Sequence, residues 1–337
     1  MKFGLTLLVC LLAVFQLDAQ SYRGLAVVND STACVSGSKG TVIRTVNGGQ
    51  TWDTISPPGY AKKEFRDIHA DDSLIIVMSS GDSAVILRSA DFGKTWTEVF
   101  RQDDTLIFLD ALDMYGSFGA VVGDPFPDEN GILRFEFLVT RNGGRTWQRD
   151  REIRNHELNR PVNGEAVYAA SGSNLNYRKA IFQGVGAGQS YSFMSGGMSN
   201  NLYYNGAKYA IPCNPCATCG MYGMTQSIAG KLFVGGNYLR PNDTAQTSYY
   251  FDYKLNKVKP AQKMPSGYRS GVASSSDNKV SICTGTNGSD ISFDGGINWQ
   301  PINLPGMNTV QFSPNFLWMA GNKGQVLRVA YKDLKSK

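Results

Sequence analysis

One octet occurs four times in this chain, and its spacing restricts the possible folds more than any other feature. TVNGGQTW, SADFGKTW, TRNGGRTW and SFDGGINW begin at residues 45, 89, 140 and 292, so successive starts lie 44, 51 and 152 residues apart. The last interval is close to three times the second. Self-similarity at such a period is the mark of a repeat architecture whose unit is one supersecondary element. The conserved positions of the octet are Thr45, Asn47, Gly49, Thr51 and Trp52; Ser89, Asp91, Gly93, Thr95 and Trp96; Thr140, Asn142, Gly144, Thr146 and Trp147; and Ser292, Asp294, Gly296, Asn298 and Trp299. Four of the five tryptophans fall inside them, which excludes chance recurrence.

The chemistry of the octet is that of a corner. An Asn or Asp side chain accepts hydrogen bonds from amides just ahead of it, and a nearby glycine supplies positive φ, so N/D-x-G closes a tight turn. β-rich runs such as TVIRT, AVILRS and FEFLVT precede the octets, and TWDTIS and TWTEVF continue them, as in a hairpin. The tryptophan can lie over the corner with its N–H near a carbonyl. Asn47, Trp52, Asp91, Trp96, Asn142, Trp147, Asp294 and Trp299 are therefore expected to be structural.

Seven units can be traced on this frame. Their first strands are read as YRGLAVV, FRDIHA, FLDALDMYG, GEAVYAASG, YGMTQSIAG, YRSGVASS and NTVQFSP. The second strands are ACVSGS, LIIVMSS, GAVVGD, AIFQGVG, KLFVGGN, VSICTGT and LWMAGN. At about 45 residues each they match the unit of a propeller. The expected fold is all-β, a single seven-bladed β-propeller over residues 20–337. The fourth, fifth and seventh units lack an octet, and ring closure is left open.

Residues 1–19 read as a signal peptide: Lys2, the apolar run FGLTLLVCLLAVF, and a small residue, Ala19, at the cleavage position. The run is too short for a confident membrane span, and nothing after it approaches 18 apolar residues. An exported protein, secreted or periplasmic and without a span after cleavage, is expected. With 11% aromatic and 18% charged residues, 37 glycines and a net charge of +5, the chain suits one turn-rich β domain and disfavours nucleic acid as a partner.

The octets resemble the Asp boxes (BNR repeats) of sialidase-type β-propellers, whose pattern is S-x-D-x-G-x-T-W; in that family they lie on outer hairpins away from the active face. In order and motif, GDPFPDENGILRFEFLVTRNGGRTW, AASGSNL, FVGGNYLRPND, GYRSGV and GTNGSDISFDGGINW are similar to bacterial relatives of the photosystem II stability and assembly factor family, often loosely labelled oxidoreductases. The resemblance covers the chain after residue 19. It implies a non-enzymatic binding or assembly module with a protein partner.

In a propeller the first strand of every blade lines the central channel. Those strands offer Arg23, Arg66, Asp67, Asp110, Glu165 and Arg269 as a charged mouth. The three arginines are expected to bind an acidic group through paired N–H donors, unless the carboxylates neutralise them. A carbohydrate or other anionic ligand also fits, and a monomer is expected. The alternative is a secreted glycoside hydrolase of sialidase type. Retaining hydrolysis needs two carboxyl groups about 5 Å apart, and the R-I-P element that sialidases carry is replaced by YRGLA.

CNPCATCG places Cys213, Cys216 and Cys219 at three-residue intervals. An iron–sulfur set would want a fourth thiolate where Gly223 stands, and zinc wants four ligands in a chain with two histidines, His69 and His156. A disulfide among the three is expected, with the pairing open, and no metal. Cys34 and Cys283 lie in second-strand segments, as small buried hydrophobes do. GVGAGQS lacks the lysine and the helix of a phosphate loop and reads as a hairpin. No cofactor is expected, and the oxidoreductase label finds no residues to support it.

Overall fold

A strand covered on both faces has no use for polar alternation, and the second strands of this chain show it. Ile75–Ser80 and Gly230–Asn237 are buried at every position, whereas Thr97–Gln102, at the rim, is exposed or half-buried throughout. The computed structural model describes residues 20–334 apart from 82, 105 and 183–185, with side chains described outside 179–189. The expected signal peptide lies outside the described residues. The protein is a seven-bladed β-propeller whose innermost strands are Tyr22–Val27, Glu64–Ala70, Leu109–Tyr115, Leu175–Phe182, Cys219–Ser227, Gly271–Ser274 and Thr309–Phe312. Antiparallel strands follow outward in each blade; blade 7 has three strands among the described residues and the others four.

The octets sit between the third and fourth strands of blades 1, 2, 3 and 6, as hairpin corners. In blade 2, Asp91 Oδ1 accepts from the Thr95 amide at 2.8 Å and the Ser89 hydroxyl at 2.8 Å, while Ser89 Oγ accepts from the Gly93 amide at 2.7 Å. Asn47 and Asn142 accept from the Thr51 and Thr146 amides in the same way. The corners also clamp neighbouring blades together. Trp96 Nε1 donates to Ile55 O at 2.9 Å and Trp299 Nε1 to Ser248 Oγ at 3.0 Å, each on the preceding blade. A Cβ at Gly93, Gly144 or Gly296 would collide with Ile55, Ile76 or Leu232, again on the preceding blade.

The ring closes by lateral contact: the first strand belongs to blade 1 and does not complete blade 7. Tyr22 N–H donates to Gly321 O at 3.0 Å, Asn308 Nδ2 to Tyr22 O at 2.8 Å, and Val27 N–H to Gln311 Oε1 at 3.0 Å.

Blade 4 corrects the tracing. Its innermost strand is Leu175–Phe182, hairpinned to Gly186–Met194, so GEAVYAASG is not a blade-4 strand and AIFQGVG is not its second strand. Glu165–Ala166 instead pairs with Gly196–Gly197, which pairs through Gly196 with Gly220 at the inner edge of blade 5. The rest of the segment crosses the channel. Val167 N–H donates to Asp124 of blade 3 at 2.8 Å, Ala169 O accepts from Arg66 of blade 2 at 3.2 Å, Ser171 O from Thr309 of blade 7 at 3.3 Å, and Ser173 O from the Met224 amide of blade 5 at 2.8 Å. Gly172, at φ +72°, lies so close to the Asp67 carboxylate that a Cβ would fall 2.1 Å from Oδ1. Residues 165–174 thus plug the propeller axis.

Candidate functional site

The plug divides the channel into two ends, and the charged residues nominated from sequence do not all face one of them. At the entry end of the innermost strands, Glu64 is shared by two arginines: Arg66 Nη2 lies 2.9 Å from Oε2 and Arg23 Nε 3.5 Å from Oε1. These side chains retain 33% (Glu64), 25% (Arg66) and 30% (Arg23) of their surface open, so the trio is within reach of a ligand. Arg66 spends one N–H on Ala169 O and lies over the Phe108 ring at 5.6 Å. The Nε atoms of both arginines are buried; that of Arg66 has no hydrogen-bond partner, and that of Arg23 has only the long contact to Glu64. Burial, then the like charge of Arg66, lowers the Arg23 pKa; Glu64 opposes this.

Beneath the trio is an acidic pair. Burial, and next the Asp124 charge, push the Asp110 carboxyl well above its ordinary range, against the Arg66 guanidinium. Neither Asp110 oxygen is in a well-formed hydrogen bond. Burial raises Asp124 to about 6, although its carboxylate accepts from the Val167 amide. Arg66 therefore faces one half-exposed carboxylate, Glu64, and one buried carboxyl, Asp110, whose ionisation burial and the Asp124 charge oppose.

Tyrosines complete this end. Tyr168, on the plug, stacks on Tyr222 with centroids 4.4 Å apart, and Tyr268 meets Tyr222 edge to face at 5.0 Å. The Tyr168 ring lies on Gly196 and Gly220, where a Cβ would stand 2.4 and 2.7 Å from it. Tyr238, the most exposed of the set, touches Tyr222 from outside at 6.3 Å.

The remaining nominated residues belong elsewhere. Arg269 is fully buried: Nε and Nη2 bond Asp290, Nη1 bonds Tyr268 O and Asn287, and Nη2 also bonds Ser266. It cannot serve the mouth because its donors are spent on the protein. Glu165 is buried too, accepting from Ser195, Asn201 Nδ2 at 2.8 Å and Tyr203 O–H at 2.7 Å. Tyr203 and Glu165 are thus a hydrogen-bonded pair sealed in the interior, away from the mouth. Asp67 lines the other end, in a cavity of about 340 Å³ with His69, Asp113, Arg178 and Gln311. Its oxygens accept from the Ile68 and Leu112 amides, and burial raises it to about 7. Asp67, Asp110 and Glu165 therefore do not converge on one opening.

Cys216 and Cys219 form a disulfide, while Cys34, Cys213 and Cys283 are free; Cys34 and Cys283 are buried in second strands. Among the described residues no group of three or more His, Cys, Asp or Glu is placed to hold a metal ion, and no helix is long and apolar enough to cross a membrane.

Sequence reasoning missed Glu64, Asp124, Tyr168 and Tyr222. A signal for one of them was present: the element GDP contains Asp124 under the mouth, while ASG lies in the plug and YRS brings Tyr268 beside Arg269.

The model for the BNR/Asp-box repeat matches residues 290–301. The protein is a seven-bladed Asp-box β-propeller. Solved propellers with the same fold include YCF48 bound to D1 peptide, at 15% identity and a TM-score of 0.59 over 94% of this chain and 95% of that one. YCF48 from Cyanidioschyzon merolae is similar at 16% identity and a TM-score of 0.59 over 93% and 96%. No curated protein matches the sequence significantly. At these identities the Asp-box propeller shares the fold of both structures from end to end, and its mouth chemistry has to be read from its own residues.

Proposed function

We propose that this propeller is a non-enzymatic binding module of assembly-factor type, acting as a monomer outside the cytoplasm and gripping an acidic group of a protein partner at the Arg23–Glu64–Arg66 mouth. The observation that carries the reading is that two guanidinium groups, each a quarter to a third open, share one half-exposed carboxylate between them. A carboxylate from a partner is a group that such open guanidinium groups can engage through their planar N–H donors. The tyrosines beside it supply rigid contact area of the kind that anchors interfaces. A protein or peptide partner is supported by the similar propeller solved with a bound peptide. Export rests on the residues 1–19 alone.

The test is crosslinking capture from the native envelope with the wild type and with Arg23→Ala and Arg66→Ala. Each substitution should weaken capture by more than about 1 kcal/mol, the scale of a charge-assisted contact, with little change in melting temperature, and added salt should weaken the wild type as well. Capture that is indifferent to both arginines overturns the proposal. Turnover of a sialoside or neutral glycoside that disappears in Asp67→Asn, Asp110→Asn or Glu165→Gln would establish the hydrolase instead.

A further inference from the structure

The CNPCATCG stretch has no part in that reading, yet its contacts lead to the plug. The loop closed by Cys216 and Cys219 offers three successive carbonyls, and tyrosines occupy all of them. The Tyr168 hydroxyl is shared between Ala217 O and Cys219 O, each at 3.2 Å, and the Tyr222 hydroxyl donates to Thr218 O at 3.0 Å. The two rings stack on each other. Tyr168 in turn fixes the plug behind it, since Asn174 Nδ2 donates to Tyr168 O at 2.9 Å and the Ala170 amide to the same oxygen at 3.0 Å. The disulfide loop is the socket in which the outer end of the plug sits.

We infer that Cys216–Cys219 is a redox site, opened by a dithiol reductant through thiol–disulfide exchange, and that opening it releases Tyr168 and the plug segment. The disulfide is accessible, because Cys216 and Cys219 are half-buried and border a hollow of about 220 Å³ with Asn237 and Arg240. A crosslink closing so short a loop removes little entropy from the unfolded chain, so the fold resists its reduction weakly. Asn237 Nδ2 lies 3.7 Å from Cys216 Sγ and favours negative charge there, which makes Cys216 the leaving thiolate and Cys219 the sulfur attacked.

In the exchange, a thiolate of the reductant bonds to Cys219 Sγ as the Cys216–Cys219 bond breaks, and Cys216 takes up a proton. The second thiol of the reductant then displaces Cys219, which is protonated in turn. The protein gains two electrons and two protons, and the dithiol becomes a disulfide. Cys213 borders the same hollow, but burial pushes its thiol up to about 12, so it stays protonated and outside the exchange at neutral pH.

The experiment uses the whole mature protein, oxidised and after dithiothreitol, with alkylation mapping and amide hydrogen exchange. Cys216 and Cys219 should become alkylated while the cooperative melt persists. Amides of residues 165–174 and 216–224 should exchange at least tenfold faster, with blades 1, 6 and 7 unchanged. Tyr168→Phe in the oxidised protein should reproduce the faster exchange at 165–174 without altering the redox titration. Three results would overturn the inference: cysteines that resist reduction until global unfolding, unchanged exchange at 165–174 after reduction, or faster exchange spread evenly over all seven blades. None of these readouts depends on the partner, so the inference stands or falls apart from the proposed binding role.

Discussion

Trp52 of the first blade meets Trp318 of the last edge to face, with ring centroids 6.4 Å apart. The first octet, whose preceding blade lies at the far end of the chain, is thus received by the one tryptophan outside the octets. Trp318 is fully buried, and a large aromatic truncated in such a place costs roughly 3–5 kcal/mol. Trp318→Ala should lower the free energy of urea unfolding by that amount, and Trp52→Ala, whose ring is half-buried, by less. Equal losses would show that the ring is closed mainly by the backbone contacts of Tyr22.

The buried Arg269–Asp290 pair separates the arginines by role. Removing one partner strands the other charge in the interior at roughly 3–5 kcal/mol. Arg269→Ala should therefore depress the melting temperature sharply, whereas Arg66→Ala, already partly open to solvent, should leave it nearly unchanged. Thermal melts of the two variants decide this, and similar melts would contradict the division between mouth and core.

Asp67 sets the sign of a pH dependence. Its folded pKa is raised from 3.8 to about 7 by burial, so between these values the unfolded chain has released a proton that the folded chain keeps. Stability should fall as pH rises through that window, by at most about 1.4 kcal/mol per pH unit for one such group, and level off above it. Asp124, raised to about 6, acts in the same direction. Unfolding measured from pH 4.5 to 7.5 should show the slope, and Asp67→Asn should reduce it, leaving the part due to Asp124.

The fourth octet tests the corner itself. Asp294 accepts from the Ser292 hydroxyl at 2.8 Å, the Ile297 and Asn298 amides at 3.1 and 2.9 Å, and Asn298 Nδ2 at 2.8 Å. Asp294→Ala should cost about 1–2 kcal/mol, the usual consequence of leaving such donors unpaired. Asp294→Asn should cost much less, because Asn47 and Asn142 fill the same position in the first and third octets. Denaturant midpoints that fall equally for both would mean the carboxylate charge matters more than the hydrogen-bond pattern.

What the sequence determined by itself was local. Each octet carries its turn within eight residues: the Asx acceptor, the hydroxyl before it and the glycine with positive φ are near neighbours, so the turn does not depend on distant contacts, whereas its tryptophan finds its partner on another blade. The same holds for most second strands, whose unbroken apolar runs follow from being covered on both faces. Blade 4 was misread because GEAVYAASG has the composition of a strand but is held by Asp124, Arg66 and Thr309, partners on three different blades. Only the assembled ring could decide that it plugs the axis. Tertiary structure likewise chose Cys216 over Cys213 as the partner of Cys219. It also sent Arg269 and Glu165 inward while leaving Arg23 and Arg66 at the mouth. Four of the innermost strands carry charges, and whether one faces a ligand or a buried partner depends on which blade stands beside it, which no short stretch of sequence records.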